Sequence, residues 1–131
     1  MKGHKVVKDF RHKGRRCVVI EIDRSKIMRK LPKSLKRCFE PYCNGYVELE
    51  DEEVGENYDE YKIKSDEITY QGNLKFPKGL DASDGKVYIG FDSAHFWNDE
   101  NPKSKTMKYV ANTCKNIVDE LNSMRIRKED E

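Results

Sequence analysis

Apolar residues in this chain gather into a few short runs separated by long polar stretches, and one segment repeats at helical spacing. Residues 17–22, Cys-Val-Val-Ile-Glu-Ile, are nearly all apolar and β-branched and follow a Lys-Gly-Arg-Arg turn, which predicts a first strand. Residues 45–49 predict a second. Tyr61-Lys62-Ile63 and Ile68-Thr69-Tyr70 alternate with period two and predict two further short strands, Ile68 and Tyr70 sharing a face. Val87, Ile89 and Phe91 alternate again with Tyr88 on the opposite side, as expected of a central strand. Between these runs, residues 23–40 are polar and basic, and Pro32 interrupts the helix-like spacing of Ile27, Met28, Leu31 and Leu35. A basic insertion with at most a short helix is expected there. Residues 51–60 read as an acidic loop.

The C-terminal third changes period. Met107, Val110, Ala111, Cys114, Ile117, Val118 and Leu121 fall three and four apart and predict a long helix over 104–124. Ser93 is placed to cap a short helix over 93–98, which Asn101-Pro102 ends. Arg125, Arg127 and Lys128 sit near the negative end of the long helix, and residues 126–131 read as a disordered tail. The expected fold class is therefore α+β: a single domain over 1–131, with an N-terminal antiparallel sheet covered by two C-terminal helices.

With 131 residues the chain can build one core, and 38% charged against 36% hydrophobic residues predicts a modest core under a heavily charged surface. The net charge of +2 hides a division along the chain. Residues 1–42 carry 14 Lys/Arg against 4 Asp/Glu, residues 43–67 carry 2 against 10, and residues 68–131 carry 10 against 10. A basic segment beside an acidic one neutralises itself by folding together, pairs head to tail in a homo-oligomer, or offers a basic patch to nucleic-acid phosphates. No run of 18 apolar residues is present, so no membrane partner is expected, and the first residues lack a signal-peptide core, which points to the cytoplasm. Cys17, Cys38, Cys43 and Cys114 then read as free thiols. They do not form the two close pairs of a zinc site, so no metal is expected.

Candidate chemistry gathers around residues 88–97. Asp92 and His95, three apart, are either a general base or metal pair, or a capping carboxylate and a hydrogen-bonded imidazole that fix a corner. Tyr70, Tyr88, Phe91, Phe96 and Trp97 either fill the core or offer a stacking surface to a base. Arg11, Arg15, Arg16, Arg125 and Arg127 either hold phosphate or line a solvated face. A phosphate loop, a nucleophile elbow and a dinucleotide fingerprint are all missing, so neither catalysis nor a cofactor is expected.

Several motifs carry a resemblance. Tyr42-Cys43-Asn44-Gly45-Tyr46-Val47, Asn57-Tyr58-Asp59-Glu60, Ile68-Thr69-Tyr70-Gln71-Gly72, Gly90-Phe91-Asp92-Ser93-Ala94-His95 and a helix opening Tyr109-Val110 resemble, over residues 42–121, a family of small bacteriophage-encoded proteins. Ser65, Asp66 and Glu67 stand where that family has His-Gly-Gly, and Ser93 stands where it has Cys. In the order of sheet and helices the chain also looks like the first family of phage Thoeris anti-defence proteins, sponges for cyclic ADP-ribose signals. The resemblance implies a counter-defence protein in the cytoplasm of an infected bacterial host. It would sequester a cyclic ADP-ribose isomer or cyclic oligonucleotide without cleaving it. The ligand contacts expected from the aromatic corner, the Asp92/His95 pair and the flanking arginines are Arg15, Arg16, Tyr70, Phe91, Asp92, His95, Trp97 and Arg125. Two alternatives stand beside this: a phage accessory factor binding nucleic acid or a host protein through residues 24–37, and a metal-dependent hydrolase built on Asp92 and His95.

Overall fold

The structure, a computed structural model, describes residues 4–23, 41–74, 85–94, 98 and 101–130, with side chains at all of these except 102 and 126–130. Its strands are β1 (His4–His12), β2 (Arg15–Ile22), β3 (Tyr42–Glu48), β4 (Tyr70–Gly72) and β5 (Tyr88–Asp92), followed by one long helix, α1 (Met107–Asp130). Among the described residues the sheet runs β1-β2-β3-β5-β4 with every neighbouring pair antiparallel, so the class is α+β.

β1 is the strand that the hydrophobic pattern does not announce. Lys13 and Gly14 both take positive φ, 51° and 85°, and join it to β2 by a two-residue turn whose twist matches the strands. Val6 pairs with Ile20 but Lys8 pairs with Val19, so Val7 is an extra residue in the ladder. Beyond this bulge the alternation is reversed, which places Lys8 and Phe10 on the side Val7 faces and hides any period of two.

The sheet is apolar on both faces. Cys17, Val19, Val47, Ile89 and Phe91 form one core with Val110, Ala111, Cys114, Ile117, Val118 and Leu121 of α1, while Val18, Ile20, Ile22, Leu74 and Tyr88 are buried on the other side. β3 and β5 are locked by reciprocal pairs, Gly45 opposite Phe91 and Gly90 opposite Tyr46. A Cβ on Gly45 would lie 2.4 Å from the Phe91 ring and 2.8 Å from the Cys114 sulfur, and one on Gly90 would lie 2.6 Å from the Tyr46 ring. Each glycine thus provides the space that the aromatic ring opposite it fills.

Three expectations change. Residues 61–63 are not a strand: Asp59 turns the chain by accepting from the backbone N–H of Tyr61 and Lys62, a local bond that competes with the ladder. The Ser93 hydroxyl, expected to cap a helix, donates to the Cys43 carbonyl at 2.6 Å and accepts from the Cys43 N–H at 3.1 Å, extending the β3–β5 pairing by one side chain. The remainder of the short helix expected over 93–98 falls mostly outside the described residues, as does the basic insertion. The long helix starts later, because Pro102–Lys105 form a 3-10 turn and Thr106 caps α1 by accepting from the Tyr109 N–H. It also continues through the stretch read as a disordered tail, since no Gly or Pro interrupts helix-favouring residues before Asp130.

Candidate binding groove

Residues 57–68 and the start of α1 enclose an open groove of about 1030 Å³. The loop is held from beneath. Tyr58 is buried and donates its hydroxyl to the Glu53 carbonyl at 2.7 Å; burial, with Glu53 and Glu56 nearby, pushes that hydroxyl well above its ordinary pKa. Farther along, the Glu120 carboxylate of α1 accepts from the N–H groups of Lys64 and Ser65, at 2.8 and 3.2 Å, and from the Ser65 hydroxyl at 2.6 Å. On the sheet side, the Gln71 amide accepts from Gly55 N–H and donates to the Glu56 carbonyl.

The loop's entry rests on a buried ion pair. Arg15 is 2% exposed and meets Glu53 through two hydrogen bonds of 2.6 and 2.9 Å. Its remaining donors reach the Glu48 carbonyl and Asn122 of α1, both at 3.1 Å. Glu53 also accepts from Glu50 N–H at 2.7 Å, which closes the 3-10 turn Asp51–Glu53. One guanidinium therefore ties β2, the acidic loop and the helix together, with its charge paired and four of its five N–H donors bonded.

Ile63 and Ile68 bring apolar surface to the groove, and Asn57, Asn98 and Asn101 bring amides. Two tyrosines that line it are open to solvent, Tyr61 81% exposed and Tyr109 47%. Glu60, Asp66 and Glu67 supply carboxylates, and among the described residues Glu60 and Glu67 have no ion-pair partner. Carboxylates beside accessible aromatic faces attract a cation by charge and by ring quadrupole together.

The residues expected to contact a ligand are distributed otherwise. The sheet separates them: Arg16, Tyr70 and Asp92 lie on the Tyr46 face, and Arg15 and Phe91 on the helix face. Phe91 is 2% exposed and leaves no ring face for stacking, and Arg15, equally buried, directs four of its five N–H donors to partners within the protein. Arg16 holds Asp9 at 2.6 Å, and that hydrogen bond raises its pKa further. Arg125, on α1, faces Glu50 and Glu52. The Asp92 carboxylate accepts from Ala94 N–H at 3.0 Å, the bond of a turn-fixing residue. Tyr70 is accessible, edge-on to Tyr46 with centroids 5.8 Å apart. His95 and Trp97 lie outside the described residues. Tyr61, Tyr109, Glu60 and Glu67 were not singled out as a site by sequence reasoning; the available signal was the acidic run itself, which had a second explanation in neutralising the basic one.

Among the described residues, no three His, Cys, Asp or Glu side chains are grouped to hold a metal ion, and no helix is long and apolar enough to cross a membrane. The described residues form an α+β domain with an acidic, tyrosine-lipped groove. No protein-family model, curated protein or solved structure matches the chain.

Proposed function

We propose that the protein is a binding protein without turnover, an accessory factor whose groove takes a lysine- or arginine-rich segment of a partner protein. The groove itself carries this reading: accessible Tyr61 and Tyr109 stand on a surface that also bears the carboxylates of Glu60 and Glu67, which have no ion-pair partner among the described residues. An aromatic face within reach of a guanidinium or ammonium contributes about 0.5–2 kcal/mol, and neighbouring carboxylates add charge attraction that weakens with salt. The motif resemblance suggests a bacteriophage setting, with a host protein as the partner.

Sequestration of a nucleotide-derived signal is the second reading, favoured by the accessible edge-on pair of Tyr70 and Tyr46. It has less support, because Arg15, Arg16 and Arg125 are turned toward carboxylates of this same chain. Calorimetry separates the two. A basic peptide is expected to bind with micromolar affinity, and Glu60→Gln/Glu67→Gln or Tyr61→Ala/Tyr109→Ala should weaken it about tenfold or more, equivalent to ~1.4 kcal/mol. Heat from cyclic ADP-ribose isomers or cyclic oligonucleotides, with none from the peptide, would transfer the assignment to sequestration. Silence from both would overturn both.

A further inference from the structure

β1 forms one edge of the sheet, and among the described residues no strand pairs with its outer side. Its inner side meets β2 through a two-residue turn, so His12 opposite Arg15 is the hydrogen-bonded pair that closes the hairpin, and bonded and non-bonded pairs alternate from there. Arg11 opposite Arg16 and Asp9 opposite Val18 are then non-bonded pairs. The Arg16 N–H is accordingly turned away from β1 and meets the Glu48 carboxylate at 3.0 Å. Asp9 and Arg11 therefore direct their own backbone N–H and C=O groups outward. Their side chains are exposed on the Tyr46 face, while Phe10 between them lies on the helix face.

We propose that two copies of the chain join through this edge, β1 antiparallel to β1, so that their sheets run on into one another about a two-fold axis at Phe10. The register argues for a second copy as the occupant. In such a pairing, outward-facing residues must oppose outward-facing ones, and beyond the Val7 bulge the axis can fall at Asp9, Phe10 or Arg11. An axis at Asp9 sets two carboxylates against each other, and one at Arg11 sets two guanidinium groups together. An axis at Phe10 instead puts Asp9 opposite the partner's Arg11 and Arg11 opposite the partner's Asp9, with the two rings meeting between them. Lys8 comes opposite the partner's His12, and in each chain His12 holds Asp119 at 3.2 Å, so a carboxylate stands behind that contact too. Charged residues on an edge usually keep strands apart, but an acid and a base two positions apart around an apolar ring complement their own copy. Both groups have capacity to spare. Asp9 can keep Arg16 and accept further bonds, and Arg11 reaches Gly14 and Glu48 through Nη1 alone. This edge is the one opposite β4 and contributes nothing to the acidic groove, so the interface does not depend on the peptide reading.

The test is a charge exchange followed by sedimentation equilibrium. The native chain should pass from one-chain to two-chain mass as its concentration rises through the micromolar range, and amide exchange at Asp9 and Arg11 should slow over the same range. Arg11→Glu and Asp9→Lys, each alone, place like charges in both bonded pairs and should weaken self-association about tenfold or more. Mixed in equal amounts, the two variants should recover a two-chain species, because native Asp9 then faces native Arg11 and the introduced lysine faces the introduced glutamate. Recovery also shows that both variants fold. A native chain that stays monomeric over the whole range, single variants that associate as the native chain does, or no mixed species would each overturn the proposal.

Discussion

Gly45 and Gly90 show how a motif with the look of a ligand site is instead architecture. Gly45-Tyr46 and Gly90-Phe91 are legible in the sequence as glycine–aromatic pairs, but whether the rings face solvent or fill the sheet depends on the strand register, which no local pattern supplies. The cost of closing each space should differ. A Cβ at Gly45 would meet Phe91 and Cys114, both fully packed, whereas one at Gly90 would meet Tyr46, which is partly exposed and can swing outward. Gly45→Ala is expected to lose about 1–3 kcal/mol in urea unfolding and Gly90→Ala distinctly less; the opposite order would mean that the helix gives way more readily than the outer ring. Cys43 carries a pH signature of its own. Burial, with Glu21 adding, pushes its thiol up from the ordinary 9.0 to about 11. Because the folded value is the higher, the stabilisation is complete below pH 9 and is lost as pH rises from 9 to 11, by roughly 2–3 kcal/mol at the upper end. Cys43→Ala should show a shallower decline over that window, and parallel curves would assign the alkaline loss to other groups.

Elements were legible where one rule governed them. β2, β3 and β5 follow from their apolar runs, and α1 from its stripe of Val110, Cys114, Ile117 and Leu121. β1 escapes because its bulge shifts the alternation at Val7 and its exposed side is charged. Residues 57–68 escape for a different reason: their shape is imposed by α1, through Glu120 more than 50 positions away. That anchor gives an element-scale prediction. Glu120→Ala removes three hydrogen bonds from the loop, so amide exchange at Lys64 and Ser65 should accelerate at least tenfold while the β3–β5 amides keep their protection. Peptide affinity should fall with it, although Glu120 lies outside the lining of the main groove. Unchanged exchange at those two amides would show that Asp59 and Tyr58 hold the loop unaided.

Across the whole molecule, the α+β class was legible from the order of strands followed by a helix, whereas the division of labour between charges was not. The acidic and basic segments meet within one chain, Glu53 with Arg15 and Glu48 with Arg11, so neutrality does not require a second subunit. Carboxylates without an ion-pair partner among the described residues, Glu60 and Glu67, stand beside Tyr61 in the groove, a placement that appears only once the loop is positioned against α1. The buried Arg15 has a consequence for how this chain is made. Its partners Glu48, Glu53 and Asn122 follow it by 33, 38 and 107 positions. On the ribosome, β2 therefore emerges with both apolar faces bare and its guanidinium still hydrated, and its full set of partners is present only once α1 has been synthesised. For most of translation the strand is a sticky, half-charged ribbon, the kind of exposed apolar segment that makes an incomplete chain prone to aggregate.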